Sequence, residues 1–463
     1  MNVLLVNPPF GGKSELPPLG LLSLAAVLLQ EGHAAEVLDL DAVPAPDPMA
    51  VLGDALARFE PDVVGVTAMT DSFSAASEAC RRVKSWNPAA LTVMGGIHAT
   101  VHDREILSSC PDVDIVVRGE GEYILRDVLR ARSAGVPISG IEGLTYRNGR
   151  VAVRNRRRDV ELRLDAYPIP AHHLVPGRGY RARGVSSSRG CGHRCTFCSI
   201  RSLYGRTVRF REIGGLLEEI GLLADLGAES VYFSDDNFTT DAARVAALCR
   251  QLEGRGFHRR MRFFAEGRID DICANPMLPA ILSMAGFGAL YFGAESGSRD
   301  ILEGYRKGIT PDDIERCVAL CVEQNLTPVV SFILCGPRDT VETIRETLAL
   351  ARRLFENGAE IACTEMLIPY PGTPIQARLS KDGKFRRKRE VYYFESYRDL
   401  DMECMLRLFR AARRMAERAY GDEPFAGQRR LYREFGCLDD LLSGRVSLEE
   451  VAEAKEVEEV KVR

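Results

Sequence analysis

Three cysteines stand close together in Arg189-Gly190-Cys191-Gly192-His193-Arg194-Cys195-Thr196-Phe197-Cys198, and the rest of the sequence is interpreted outward from them. Thiolates bind iron, and three at this spacing can wrap one cuboidal cluster while one iron keeps no protein ligand. The glycines permit a tight loop whose backbone N–H groups can donate hydrogen bonds to cluster sulfurs. We therefore predict that Cys191, Cys195 and Cys198 bind a 4Fe–4S cluster.

A structural zinc site is the competing interpretation of this segment, with the same cysteines and His193 as ligands. Structural zinc sites usually consist of two paired ligand modules separated by a spacer, and the sequence has no second pair nearby. The segment also follows the first candidate strand of a barrel-like region, where active sites are found. Both observations favour the cluster.

The region from 184 to 372 alternates apolar β-type runs with amphipathic helical runs. Six such units are typical of a parallel partial (β/α)6 barrel, whose active site lies at the carboxyl ends of the strands. The predicted strands are 184–188, 230–234, 262–265, 289–293, 328–334 and 360–367. We assign this domain to residues 181–375, and a small helical, highly charged C-terminal region to residues 376–463.

The amino-terminal region shows the same alternation with shorter units, which predicts an α/β domain over residues 1–140. Five strands with helices between them indicate a flavodoxin-like, that is Rossmann-like, doubly wound parallel sheet that binds ligands beyond the strands' carboxyl ends. The predicted strands are 2–6, 35–40, 62–67, 91–94 and 114–118. Residues 141–180 are predicted to be a hairpin, turning at Asn148-Gly149, and a linker.

Four of these strands are followed by candidate binding loops: Asn7-Pro8-Pro9 follows 2–6, and loops with glycines or small hydroxyl residues follow the last three. Glycine lets a backbone approach a ligand closely, and hydroxyls supply hydrogen bonds without bulk. Each loop alone is more typical of a tight strand-to-helix turn, but four on one edge favour a binding site. The candidate contacts are Thr67, Thr70, Gly95, Gly96, His98, Gly119 and Glu120.

The composition narrows the class of protein. With 46% hydrophobic and 27% charged residues over 463 positions, the chain is typical of a globular protein of two or three domains. A net charge of −4 and the lack of a long apolar run argue against a general nucleic-acid binder and a membrane span. The start has no charged leader, and 13 scattered cysteines fit a reduced, cytoplasmic protein.

The pattern C-x-x-x-C-x-x-C with an aromatic residue before the last cysteine resembles the radical S-adenosylmethionine superfamily. The resemblance implies that S-adenosylmethionine chelates the open iron, and that an electron from an external donor such as flavodoxin or ferredoxin cleaves it to a 5′-deoxyadenosyl radical. It assigns cofactor contacts to Phe197, to Ser234, Asp235 and Asp236 near the methionyl amino group, to Arg268 near the carboxylate, and to Glu295 and Ser331 near the ribose. Taken singly, each has a structural alternative, and Asp236 could cap a helix.

The flavodoxin-like domain placed before this region resembles the cobalamin-binding radical S-adenosylmethionine enzymes, of class B methyltransferase type, over roughly residues 1 to 400. Cobalamin is therefore the third implied cofactor. The Asp-x-His-x-x-Gly motif of the wider cobalamin-binding families is absent, so no histidine stands in the usual place below the cobalt. His98 could touch the corrinoid or stabilise its own turn.

The resemblance implies a methyltransferase acting on an unactivated carbon or phosphorus centre of a small-molecule or lipid-like substrate. A ring-closing or rearranging enzyme of tetrapyrrole or nucleoside chemistry is the first alternative, and a non-catalytic iron–sulfur or corrinoid sensor is the second. The full set of candidate S-adenosylmethionine contacts argues against the sensor. Candidate substrate-lining residues are Cys335, Tyr370, Tyr392 and Tyr393.

Replacing any of Cys191, Cys195 and Cys198 with alanine is expected to abolish the brown chromophore after anaerobic reconstitution, because each thiolate holds one iron. Iron and sulfide content and the visible spectrum measure the outcome. The control variants Cys335→Ala and Cys404→Ala should keep both. A distant cysteine as necessary as these three would contradict the open iron.

Overall fold

The computed structural model describes residues 1–10, 15–43, 45–149, 151–176, 179–388, 391–398, 405, 407–408, 438–440 and 442–443, with the backbone alone at 363–365, 388 and 391–393. The amino-terminal strands are β1 (Asn2–Asn7), β2 (Ala34–Asp39), β3 (Val63–Thr67), β4 (Leu91–Gly95), β5 (Ile115–Val117), β6 (Leu144–Asn148) and β7 (Val151–Arg154). The helices among them are α1 (Leu19–Gln30), α2 (Pro48–Phe59), α3 (Phe73–Trp86), α4 (Ile97–Ser109) and α5 (Glu122–Ala134).

These strands form one sheet in the order β2-β1-β3-β4-β5-β6-β7. The first five are parallel, as the alternating pattern predicts, and helices cover both faces of the sheet. Val3, Leu4, Leu5 and Val6 of β1 are fully buried, which is why this central strand is an unbroken apolar run. The predicted flavodoxin-like sheet is confirmed.

The hairpin β6–β7 belongs to this sheet, whereas residues 141–180 were predicted to form a hairpin and linker between the two domains. Tyr146 lies opposite Ile115, so β6 pairs antiparallel with β5. Leu144 and Thr145 are fully buried at the junction. Pairing in this way covers the free edge of β5, which would otherwise leave backbone N–H and C=O groups without partners.

The second region begins with β8 (Arg183–Val185) and the short strands β9 (Ser188–Arg189) and β10 (Arg209–Phe210). Its longer strands are β11 (Ser230–Phe233), β12 (Arg262–Gly267), β13 (Phe287–Glu295), β14 (Thr327–Leu334) and β15 (Glu360–Met366), followed by β16 (Phe385–Lys388) and β17 (Val391–Phe394). Its helices are α6 (Ile200–Tyr204), α7 (Ile213–Asp225), α8 (Ala242–Gly254), α9 (Ile269–Ala274), α10 (Leu278–Met284), α11 (Arg299–Tyr305), α12 (Pro311–Val322), α13 (Val341–Glu356) and α14 (Pro374–Lys381).

Six parallel strands make the second sheet, in the order β15-β14-β13-β12-β11-β8. The order follows the chain, as in a barrel, but within the described residues β8 and β15 do not pair with each other, so the barrel is partial. Phenylalanines fill its core, and the rings of Phe233 and Phe287 stack at 5.5 Å between centroids. The predicted partial (β/α)6 barrel is confirmed.

After α14 the structure differs from the predicted helical C-terminal region. The antiparallel hairpin β16–β17 follows, because Val391-Tyr392-Tyr393-Phe394 is a β-branched and aromatic run that favours a strand. Met405 and Leu438 pack against the barrel core. The charged segment 449–463, predicted to be a helix, lies outside the described residues. No helix in the described part of the chain is long and apolar enough to cross a bilayer.

Candidate functional site

A cavity of ≈ 480 Å³ lies between the two sheets, lined by residues at the carboxyl ends of both. The amino-terminal sheet contributes Asn7, Thr67, Gly95, Gly96, Gly119 and Glu120, and the barrel contributes Ser186, Ser188, Arg189, Tyr204, Ser234 and Asp236. Parallel sheets bind ligands at this edge, because backbone N–H groups and helix amino termini point there. The cavity is therefore the candidate site.

Glycine backbone forms much of the amino-terminal wall of the cavity. Gly96 has φ +95°, and a Cβ atom there would lie 2.6 Å from the carbonyl oxygen of Ala68. Gly119 also has a positive φ, of +82°, and its N–H donates to Thr100 Oγ1 at 3.0 Å. A wall without bulky side chains fits a broad, flat ligand such as a corrin ring.

His98 and Thr70, two of the predicted contacts, are not among the residues that line this cavity. His98 is 2% exposed, its Nδ1 lies 3.3 Å from Thr70 Oγ1, and its ring stacks on Phe73 at 4.3 Å. Burial, together with the neighbouring charge of His102, lowers the pKa of His98 to about 4. These contacts fit the turn-stabilising alternative.

The cysteine segment forms a loop bracketed by the paired strands β9 and β10. Gly190 has φ +93°, and a Cβ atom there would lie 2.2 Å from the Thr207 carbonyl oxygen, so only glycine lets the loop pack here. On the other side, Thr196 N–H donates to the Tyr305 carbonyl oxygen at 3.0 Å, and Phe197 meets the Tyr305 ring edge-on at 5.3 Å. The loop is thus held from both sides.

The chemistry of the three thiols fits an iron–sulfur cluster. Cys195 is buried, and Cys191 and Cys198 are half-buried. Burial raises the pKa of Cys198 to about 11 and raises that of Cys191. Such thiols stay protonated unless a metal displaces the proton, and binding the metal recovers that cost.

The two adjacent aspartates after β11 have different positions. Asp236 lines the cavity and accepts a hydrogen bond from Gly190 N–H at 2.7 Å, and burial raises its pKa to about 6. Asp235 accepts from Ser187 N–H at 3.0 Å and Oγ at 2.8 Å, and from Ser188 Oγ. Asp236 is therefore open to a ligand, whereas Asp235 orders the loop after β8. Ser234 lines the cavity beside them.

Arg268 lies against the cysteine loop. Its Nη1 is 3.7 Å from Cys195 Sγ, and its Nη2 donates to the Lys307 carbonyl oxygen at 2.6 Å. Asp270 accepts from Nε at 2.8 Å and from Nη2 at 3.0 Å, so this fork already has a carboxylate partner. The structure places Arg268 beside a predicted cluster ligand, outside the lining of the cavity.

Glu295 ends β13 with φ +65°, an unfavourable angle for a residue with a side chain. Its carboxylate accepts from Lys307 Nζ at 2.7 Å, and both side chains are under a tenth exposed. A Cβ atom at Gly293 would lie 2.2 Å from Glu295 Oε1, which explains the glycine. Ser331 Oγ, on the neighbouring strand, donates to the Phe292 carbonyl oxygen at 3.4 Å.

The candidate substrate-lining residues are dispersed. Cys335 is fully buried in the barrel core with φ +54°. Tyr370 Oη donates to Asp71 Oδ2 at 3.0 Å and so joins the two domains. The side chains of Tyr392 and Tyr393 lie outside the described residues.

Four charged side chains, two of them buried (Glu122 and Arg209) and two half-buried (Glu120 and Arg189), join the domains at the cavity, and sequence reasoning missed this ion-pair cluster. Arg189 donates to Glu120 Oε1 at 2.9 Å and to Glu122 Oε1 at 2.7 Å, and Arg209 donates to Glu120 Oε2 at 2.8 Å. Burial alone would raise the pKa of Glu122, but Arg189 outweighs it and the pKa is lowered. The sequence did contain a signal for this contact, because the loop Gly119-Glu120-Gly121-Glu122 is acidic and the cysteine segment is basic.

Comparison with known proteins agrees with this arrangement. The B12 binding domain family matches residues 12–129 and the Radical SAM superfamily matches residues 185–351. An uncharacterized methyltransferase of Pyrococcus horikoshii is 32% identical over 389 residues, 81% of this chain and 82% of that protein. The chain belongs to the cobalamin-binding radical S-adenosylmethionine enzyme family. Its cofactors are a 4Fe–4S cluster, S-adenosylmethionine and cobalamin, as the sequence predicts.

Other members of the family are more distant. The anaerobic magnesium-protoporphyrin IX monomethyl ester cyclase of Cereibacter sphaeroides is 26% identical over 412 residues, 86% of this chain and 66% of that protein. The methyltransferase TsrM from Kitasatospora setae was solved with cobalamin and a [4Fe-4S] cluster. Its structure has a TM-score of 0.69 to this chain at 24% sequence identity, and the match covers 82% of this chain and 75% of the TsrM chain. OxsB, solved with aqua-cobalamin and S-adenosylmethionine, has a TM-score of 0.77 at 17% identity, covering 93% and 70%. Both likenesses show the fold.

Replacing Glu120 with glutamine is expected to lower the free energy of unfolding by about 3–5 kcal/mol, because Arg189 and Arg209 would stay buried without full compensation. Denaturant unfolding of the full chain measures the loss. The control Glu315→Gln makes the same change at an exposed pair with Arg353 and should cost about 0–1 kcal/mol. Equal losses in the two variants would contradict a special role for the ion-pair cluster.

His98→Gln is expected to change the response to acid. Because folding lowers the pKa of His98 to about 4, the unfolded chain takes up a proton first as pH falls below about 6.5, and the folded chain loses roughly 3 kcal/mol between there and pH 4. The variant lacks this loss, so its stability relative to the unaltered chain should rise over that interval. Unfolding at several pH values measures it, and His173→Gln, at an exposed histidine, is the control. Cobalt-coupled nitrogen splitting that disappears in His98→Gln would contradict the structural role.

Proposed function

We propose that the enzyme transfers a methyl group to an unactivated carbon or phosphorus centre of a small-molecule substrate. The observation that carries the proposal is the shared cavity, which sets the glycine-lined loops of the amino-terminal domain against Arg189, Tyr204 and Asp236, barrel residues that flank or contact the cysteine loop. A reaction that needs both halves at once fits a single cavity between them better than two separate sites. The methyltransferases among the relatives support this choice.

We assign each cofactor to a part of the site on the chemistry of the residues there. Cys191, Cys195 and Cys198 would hold the cluster, and the loops at Thr67, Gly95-Gly96 and Gly119 would hold the corrinoid. Asp236 and Ser234, which line the cavity after β11, and Glu295, at the end of β13 two strands further along the sheet, would hold S-adenosylmethionine. When bound, these groups supply a 5′-deoxyadenosyl radical and a transferable methyl group.

The chain's own contribution is positioning and the exclusion of water. Asp236 holds Gly190, and so fixes the start of the cysteine loop. The Glu295–Lys307 pair offers a carboxylate whose position is set before a ligand arrives, since Gly293 leaves room for it. Groups held in this way lose little entropy on binding and keep reacting atoms in line.

Radical S-adenosylmethionine enzymes take small-molecule substrates and electrons from an external donor. For this chain we propose a flavodoxin or ferredoxin as that donor. Ring closure, the reaction in the name of the cyclase relative, is the second candidate for the chemistry, because that relative matches the chain over most of its length.

Reconstituted enzyme, reduced and supplied with S-adenosylmethionine bearing a trideuteromethyl group, is expected to place that group in a product from candidate substrates or cell extract. Mass spectrometry follows 5′-deoxyadenosine and the labelled product together. Cys195→Ala, which should lose the cluster, is the control. A product that forms with 5′-deoxyadenosine but carries no deuterium would contradict methyl transfer and favour the cyclase.

A further inference from the structure

The cysteine segment and the helix after it carry a marked excess of positive charge. Between residues 189 and 211 the sequence contains no aspartate or glutamate, although the whole chain has a net charge of −4. The arginines in this interval are Arg189, Arg194, Arg201, Arg206, Arg209 and Arg211. A basic interval in an acidic chain calls for a local explanation, since overall composition does not provide one.

The structure separates these arginines into two sets. Arg189, Arg209 and Arg211 form ion pairs with Glu120, Glu122 and Glu219 inside the protein. Arg194 and Arg206 are exposed and Arg201 is half-buried, and in the described part of the chain these three form no ion pair. The first set compensates buried carboxylates, whereas the second leaves positive charge facing solvent.

The segments that carry the second set adjoin one another beside the cysteines. Gly190 packs against Thr207, and a Cβ atom at Gly192 would lie 4.0 Å from Val208 Cγ2, so the cysteine loop adjoins the residues around Arg206. Exposed Arg157 extends this surface, because its Nη2 donates to the carbonyl oxygens of Ser202 at 3.2 Å and Leu203 at 2.7 Å. We call the surface made by Arg157, Arg194, Arg201 and Arg206 the basic face.

We propose that the basic face is the docking surface for an acidic protein that carries single electrons. The inference rests on the proposed cluster at Cys191, Cys195 and Cys198 and names the surface through which that cluster is reduced. One electron leaves the reduced carrier and enters the oxidised cluster, with no bond made or broken. Half-buried Cys191 and Cys198 lie in the same loop as Arg194, so the docked carrier is close to the cluster.

A second pair of exposed arginines lies at the opposite end of the barrel strands from the cysteines. Arg259 and Arg260 are exposed, and among the described residues they form no ion pair. They precede β12, at the amino end of the barrel strands, whereas the cysteines follow β8 at the carboxyl end. A strand of this length spans roughly 20 Å, which puts these arginines too far from the cluster for efficient electron transfer. They provide a matched control.

The test measures the second-order rate at which purified reduced flavodoxin reduces the reconstituted full-length enzyme, followed by loss of visible absorbance. Arg206→Glu combined with Arg201→Glu is expected to slow reduction about tenfold at low salt, and the difference should shrink as added salt screens the charges. The control Arg259→Glu/Arg260→Glu makes the same change in charge and should match the unaltered enzyme. Photoreduced deazaflavin, a small reductant, should reduce all of them equally.

If Arg201→Glu/Arg206→Glu and the unaltered enzyme are reduced at equal rates, the proposed docking surface is wrong. It is also wrong if Arg259→Glu/Arg260→Glu slows reduction as much. Iron content and the spectrum of each variant show whether the cluster assembles, and Arg206→Glu alone serves if the double variant does not. Loss of binding to a short oligonucleotide with unchanged reduction would assign the face to nucleic acid instead. Lack of a reducible chromophore in the unaltered chain would overturn the cluster itself, and failure of methyl transfer would leave the docking result intact.

Discussion

Two glutamates and two arginines meet in the interior between the sheets, and the geometry of the site depends on their mutual compensation. Glu120 comes from the loop after β5 and Glu122 begins α5, whereas Arg189 and Arg209 come from the short strands that bracket the cysteine loop. Charges removed from water cost several kcal/mol each unless partners of opposite sign satisfy them. Neither domain can present its own pair at this depth without the other. The ion-pair cluster therefore specifies how the two sheets meet, and not merely that they do.

The consequence for the site is that the loop after β5 and the cysteine loop share one set of contacts. Gly119 and Glu120 line the cavity on the amino-terminal side, while Arg189 lines it from the barrel side and directly precedes the cysteine loop. A displacement of one loop would break hydrogen bonds that hold the other. The chain thus fixes the separation between the carboxyl edges of its two sheets through side chains that belong neither to the three cysteines nor to the glycine wall.

Sequence reasoning succeeded where a signal is local and failed where it depends on distant partners. The strands of both sheets follow from apolar periodicity, and the cysteines follow from their spacing, because each pattern is contained within a few turns of chain. Glu120 was predicted to contact a cofactor; it lines the cavity, but the sequence did not reveal that its carboxylate also meets Arg189, 69 residues along the chain. The imidazole of His98 is likewise occupied by Thr70 and Phe73. The hairpin β6–β7 has a clear turn, yet nothing in its residues says which sheet edge it will cover.

The arginines of the cysteine segment show how one local composition can serve two physical purposes. Arginine keeps its charge when buried and offers a planar fork, so it suits both the interior pairs with glutamates and an exposed surface that attracts anionic partners. Buried and exposed arginines alternate here because the cysteine loop is tight. Gly190 and Gly192 pack against residues 204–208. Arg194 and Arg206 are therefore exposed, while Arg189 and Arg209 face the domain junction. The fold that buries one set of charges is therefore what displays the other beside the cysteines.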